Sequence, residues 1–137
     1  MKRLAFLVVL FSFFSCSSEV SLTPEEIKEL STKDIEIIFT TTEPNYDEVM
    51  ITYYDFDIGT DVAKAYVFKY DVDDNPLPIK IVFDNYEHDF LRGEGFRNNF
   101  SDAELKVQLF IDEELILEET SKGTASTFAK VDFNYDL

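Results

Sequence analysis

The sequence predicts an all-β chain folded as an antiparallel sandwich of seven or eight short strands. Three observations carry this expectation. Apolar residues recur at every second position in run after run, and the runs are rich in β-branched and aromatic residues, the pattern of strands with one face buried. Asp, Asn, Gly and Pro cluster between the runs at the spacing that hairpins and sheet-to-sheet loops need. The chain of 137 residues is also 45% hydrophobic. That is enough for one packed domain, despite a net charge of −16 that would mean disorder in a less apolar chain.

The first element is not part of the sandwich. Lys2 and Arg3 open the chain, residues 4–14 are apolar apart from Ser12, and no acid occurs before Glu19. A basic start before a short apolar segment is the layout of a secretory signal, assigned to residues 1–15. The segment is shorter than the roughly 20 residues of a spanning helix. It closes Phe13-Phe14-Ser15-Cys16, with the only cysteine of the chain last. This ending resembles the bacterial lipobox, whose Cys sulfur takes a diacylglycerol and becomes the mature N-terminus. The resemblance makes Cys16 the expected lipidation site and implies a membrane-anchored protein of the bacterial cell envelope. Ser17 is compatible with the outer membrane. Two or more acyl chains anchor stably where one does not.

Residues 16–33 read as a tether. Thr23-Pro24-Glu25-Glu26 followed by Ile27 and Leu30 is a capped helical turn, with Thr23 as N-cap, Pro24 first in the helix and Glu26 completing the capping box. The pattern leaves open whether Ile27 and Leu30 dock on the domain or the turn stands in solvent. Loss of Lys2 and Arg3 with the signal makes the mature chain more acidic, so the domain should stand off from anionic lipid head groups.

Residues 34–137 read as the sandwich. Strands are expected around Ile35, Ile37 and Phe39; Val49, Ile51 and Tyr53; Tyr66, Phe68 and Tyr70; Ile79, Ile81 and Phe83; Leu105, Val107, Leu109 and Ile111; Leu115 and Leu117; and Val131, Phe133 and Tyr135 within one run over residues 128–135. The run from Leu105 to Ile111 alternates most cleanly and contains no Gly or Pro, which predicts a central strand. Turns are expected at Glu43-Pro44-Asn45, Asp57-Ile58-Gly59-Thr60, Asp73-Asp74-Asn75-Pro76, Arg92-Gly93-Glu94-Gly95, Asn98-Asn99 and Lys122-Gly123.

Residues 103–129, AELKVQLFIDEELILEETSKGTASTFA, combine an alternating strand, a tight hairpin, a second strand, Ser-x-Gly and a last strand. Earlier, residues 50–59 run from a strand into an Asp-x-Gly turn. These segments resemble the MmpS-like transport accessory family, with Glu113 or Glu114 where that family has a hairpin glycine. The resemblance covers the pattern of strands and turns from Ile35 to Ala129. It implies an immunoglobulin-like sandwich and an accessory role beside an envelope complex. It supplies no catalytic residue.

Chemistry is sparse. One Cys excludes a disulfide framework. The strong negative charge argues against nucleic acid, because phosphate affinity needs clustered Lys and Arg. The single histidine, His88, sits among acids in Tyr86-Glu87-His88-Asp89-Phe90, with no Gly-x-Ser-x-Gly elbow anywhere in the chain. It reads as a surface residue. With 28 acids, close carboxylate pairs arise by chance and do not mark a glycosidase. Calcium, which takes six to eight oxygens from a flexible loop, has two candidate sites: Asp55, Asp57 and Asp61 around Gly59, and Asp71, Asp73 and Asn75. Turn formation explains the same residues. Tyrosines at Tyr53, Tyr54, Tyr66, Tyr70 and Tyr86 are core residues or a contact surface for sugar or protein. The sequence thus points to a non-enzymatic, lipid-anchored envelope protein. It is expected to be a binding or accessory module with an envelope protein partner, or else a calcium- or carbohydrate-binding surface module.

Overall fold

The computed structural model describes residues 22–25, 27, 32–42 and 48–137. The signal segment, Cys16 and most of the tether, Leu30 included, lie outside them. Within the tether, Ile27 N donates to Thr23 O (2.9 Å), closing one helical turn at the place the capping motif predicts. Ile27 is exposed. No described helix is long and apolar enough to cross a membrane.

The rest is an all-β antiparallel sandwich. Its strands are β1 (Lys33–Thr41), β2 (Glu48–Asp55), β3 (Thr60–Val67), β4 (Ile79–Tyr86), β5 (Phe90–Leu91), β6 (Gly93–Arg97), β7 (Glu104–Ile111), β8 (Glu114–Lys122), β9 (Lys130–Asp132) and β10 (Tyr135–Asp136). Eight of them form two four-stranded sheets, in the orders β4-β1-β7-β8 and β3-β2-β6-β9, while β10 and β5 form a two-stranded pair. The likeness to immunoglobulin domains lies in two stacked antiparallel sheets. The strand order differs from the immunoglobulin one, since β1 and β2 lie in different sheets.

Period-two alternation explains the core. On β1 the inward positions Ile35, Ile37 and Phe39 are buried, and on β7 so are Leu105, Val107, Leu109 and Ile111. β1 pairs with β7 in register, Ile37 opposite Leu109 and Phe39 opposite Val107. Val49 and Ile51 of β2, Val131 of β9 and Phe133 complete the same cluster from the second sheet. β7 lies inside its sheet, as its clean alternation predicts.

Three sequence expectations are corrected. The strand expected around Tyr66, Phe68 and Tyr70 lies earlier, at Thr60–Val67. Tyr70 lies outside β3 and forms an isolated bridge to Pro76. β3 is an edge strand whose residues are mostly exposed, so its sequence shows no apolar alternation to read. The expected turn Arg92-Gly93-Glu94-Gly95 is instead the interior strand β6. Its glycines are there for space: a Cβ at Gly95 would stand 2.5 Å from Phe39 Cε1, and one at Gly93 would stand 2.8 Å from Thr52 O and collide with the Phe133 ring. Glycine in a strand interior often marks such a close approach. The single run over residues 128–135 divides between β9 and β10, which belong to different sheets.

Two bulges change which face a side chain joins. On β4, Lys33 pairs with Tyr86 but Ile35 with Phe83, so Asp84 and Asn85 together oppose Asp34. Asn85 takes the left-handed conformation (φ 54°), which Asn tolerates better than most residues. Its N–H donates to Asp34 Oδ1 (3.0 Å). The extra residue turns Tyr86 to the inward face beside Phe83. On β8, Leu117 opposes Leu109 but Leu115 opposes Phe110. Leu117 therefore faces inward, and Leu115 is left 46% exposed.

Candidate functional site

Where the β2–β3 hairpin of one sheet meets the end of β4 in the other, the two enclose a pocket of about 440 Å³. Tyr54, Asp55, Phe56 and Asp57 line it from the hairpin. Phe83, Asp84, Asn85, Tyr86, Glu87 and His88 line it from β4 and the segment after it, with Leu91 at its base. The volume lies within the range of small-molecule sites.

Local chemistry shapes both walls. Asp55 Oδ1 accepts from the N–H groups of Asp57 (3.0 Å) and Ile58 (3.2 Å). Gly59, at φ 68°, closes the loop by donating its N–H to Asp55 O (2.8 Å). This is an Asx-stabilised turn with glycine at the position that needs positive φ. It projects Phe56 and Asp57 toward β4. On the other wall the β4 bulge brings Tyr86 inward, and the Tyr86 hydroxyl donates to Phe90 O (2.6 Å).

The walls are joined by rings. Tyr54 meets Phe56 at 4.8 Å between centroids, Phe56 meets His88 at 5.2 Å, His88 meets Tyr86 at 5.1 Å, and Tyr86 meets Phe83 at 5.8 Å. Phe83 continues the row to Tyr53 at 5.4 Å. Most of these pairs are edge-to-face, the arrangement the ring quadrupoles favour. His88 Nε2 lies 2.9 Å from Asp57 Oδ1 and crosses from one wall to the other.

The electrostatic character is negative. Asp55, Asp57, Asp84 and Glu87 line the pocket, and among the described residues no Lys or Arg does. The Tyr86 phenol feels this: burial first, then the charges of Asp57 and Asp55, push its pKa above the ordinary tyrosine value, against a smaller opposing effect of Arg92. Arg92 is held outside the lining. It donates to Leu91 O (3.0 Å) and Tyr135 O (2.9 Å) and pairs with Asp136 Oδ1 (2.5 Å).

The predicted calcium ligands are brought together only in part: Asp55 and Asp57 share the pocket lining, and Asn75 Nδ2 donates to Asp71 Oδ2 (3.1 Å). Asp55 ends β2, Asp57 lies in the turn, and Asp61 lies in β3 opposite Tyr54. In the second loop, Asp71 Oδ1 accepts from the N–H groups of Asp73 and Asn75, both at 2.9 Å. Among the described residues no group of three or more His, Cys, Asp or Glu side chains is placed to share a metal ion. His88, read from sequence as a surface residue, is instead half-buried in the row of rings.

Sequence reasoning missed the pocket because its two walls are about 30 residues apart. Only the aromatic content of Tyr53-Tyr54-Asp55-Phe56 and of Tyr86-Glu87-His88 hinted at it. The exposed aromatic pair lies elsewhere. Phe100, 58% exposed, stacks on Phe128 at 4.6 Å, whereas Phe110 is half-buried.

No family model matches the chain, and no curated protein matches it.

Proposed function

We propose that this chain is a non-enzymatic binding module of the bacterial cell envelope, anchored through lipid on Cys16 and working through the pocket between the β2–β3 hairpin and the end of β4. The observation that carries the reading is the pocket's make-up. A continuous row of rings with carboxylates around it suits recognition, because rings provide contact area at low entropy cost and carboxylates fix orientation. Among the described residues its lining holds no Ser, Thr, Cys or Lys, so His88 and Asp57 face none of the nucleophiles that acyl transfer commonly uses. A place beside an envelope transporter, which the likeness to the MmpS-like accessory family implies, and an outer-membrane location belong to the same proposal.

Two experiments test it. Metabolic labelling with a fatty-acid probe tags the wild type and not Cys16→Ala; equal labelling of both contradicts the anchor. Pull-down from solubilised envelope retains a component with the wild type and loses it with Phe56→Ser; equal retention contradicts the pocket as the contact.

The second reading, carbohydrate binding, is favoured by the concavity of the aromatic surface, since sugars stack on rings in grooves. A glycan array separates it from the first.

A further inference from the structure

We propose that the pocket binds an organic cation, an alkylammonium or guanidinium group seated against the rings of Phe56, Tyr86 and His88 and facing the carboxylates of Asp55 and Asp57. The inference rests on the proposed binding role of this pocket and names its ligand class.

Three observations lead to it. Tyr54, Phe56, Phe83, Tyr86 and His88 line a space of about 440 Å³, large enough for an ammonium head and part of its chain, and the faces of Tyr and Phe rings attract cations. Among the described residues no Lys or Arg shares the lining with these carboxylates; Asp57 Oδ1 meets His88 Nε2 (2.9 Å), and Asp55 Oδ1 accepts from two backbone N–H groups. Asp57 and Asp55 lie on the lining with Tyr86, and after burial their charges help to raise its pKa. Across the whole chain, a net charge of −16 adds a field that draws cations toward the pocket mouth.

The alternatives fit less well. A neutral sugar could donate its hydroxyls to these carboxylates but would leave their charge uncompensated and gain no cation–π attraction from the rings. The lining offers one amide, Asn85, for neutral hydrogen bonding. A divalent metal needs six or more oxygens at one point, and the described carboxylates are not gathered for that. An organic cation needs only rings and diffuse negative charge, which are both present.

The ammonium could come from a free small molecule or from a Lys or Arg side chain of a partner protein. Titration of the full chain in nonionic detergent, followed by calorimetry and by tyrosine fluorescence, uses choline against its neutral isostere 3,3-dimethylbutan-1-ol, N-acetyl-lysine amide, N-acetyl-arginine amide, and chitobiose. The expected result is saturable binding of a cation at least about tenfold tighter than the neutral isostere, weakening as salt rises. Preference for choline identifies a free cation, and preference for the amino-acid amides identifies a partner's side chain. Asp57→Asn and Phe56→Ala each weaken that binding. Phe56→Ala also removes packing, so the isostere comparison on the unaltered chain stands alone as a test. Equal binding of choline and its isostere, no saturable binding by any cation, or cation binding untouched by both variants overturns the inference. Chitobiose saturating where cations do not overturns the cation while leaving the binding pocket in place. The anchor is read separately, by labelling at Cys16.

Discussion

The ring of Phe39 on β1 fills the space that a side chain at Gly95 on β6 would need: a Cβ there would stand 2.5 Å from the ring's Cε1. The two residues belong to opposite sheets, so this contact sets how closely the sheets approach. Phe39 is fully buried and has no open space to swing into. Gly95→Ala is therefore expected to destabilise by about 1–3 kcal/mol through overpacking, and Phe39→Ala by about 3–5 kcal/mol through a cavity. Phe39→Leu combined with Gly95→Ala should be less damaging than the sum of the two single changes, by about 0.5 kcal/mol or more. Urea melts of the four variants, Phe39→Leu alone included, check this, and strict additivity of Phe39→Leu and Gly95→Ala would show that the contact does not hold the sheets apart.

The hairpin between β7 and β8 turns through Asp112 and Glu113, both with positive φ (49° and 68°). Two-residue hairpins of this hand favour Gly at the second position. Asp112 has a reason to stay: its Oδ1 accepts from Asp34 N (3.0 Å). Glu113→Gly is expected to stabilise the protein by about 0.5–1 kcal/mol. A lower melting temperature than wild type would contradict the turn assignment.

At the β4 bulge, Asn85 holds a left-handed conformation that a β-branched residue resists by about 1–2 kcal/mol. Asn85→Gly should be close to neutral. Asn85→Val should lose about that amount and also shift the Tyr86 and His88 ring signals in an NMR spectrum, because the bulge is what turns Tyr86 inward. Unchanged ring signals in Asn85→Val would separate the bulge from the pocket.

The carboxylate of Asp71 is held below the ordinary aspartate pKa, chiefly by the backbone N–H and then the side-chain amide of Asn75, with help from Asp73 N–H. A depressed folded-state pKa contributes stability above the unfolded value of about 3.9 and loses it as pH falls through the folded value. Wild type should thus be more stable than Asp71→Ala near neutrality, and the gap should close under acid. Melts from pH 7 down to about pH 2.5 read the difference, and a gap independent of pH would remove the carboxylate from the cause.

Much of the fold was legible wherever one face of a strand is buried. Ile35, Ile37 and Phe39, or Leu105 to Ile111, announce themselves because burial demands an apolar residue at every second position. β3 was misplaced because both of its faces are largely open to water, so its pairing with β2 leaves little trace in side-chain chemistry. β6 was read as a turn because its glycines answer to the rings of Phe39 and Phe133, which are distant in sequence. The pocket was hidden for a related reason. It depends on a one-residue bulge that moves Tyr86 across the strand, and on a hairpin that carries Phe56 and Asp57 to His88. The calcium reading grouped Asp55, Asp57 and Asp61 by spacing; Asp55 Oδ1 accepts from the backbone of its own turn, and Asp61 lies in a strand.

Mapping where a cation lands is the most direct measurement of whether the β2–β3 hairpin and the bulged end of β4 form the working site. Backbone and ring NMR signals of the full chain, recorded during addition of choline chloride with sodium chloride as the control, should shift in saturable fashion at Phe56, Asp57, Tyr86 and His88 and stay still at Val82, exposed on β4, and at Phe100, in the loop before β7. Shifts centred on Phe100 and Phe128, or shifts reproduced by sodium chloride alone, would contradict the assignment of this pocket as the place where the protein meets its ligand.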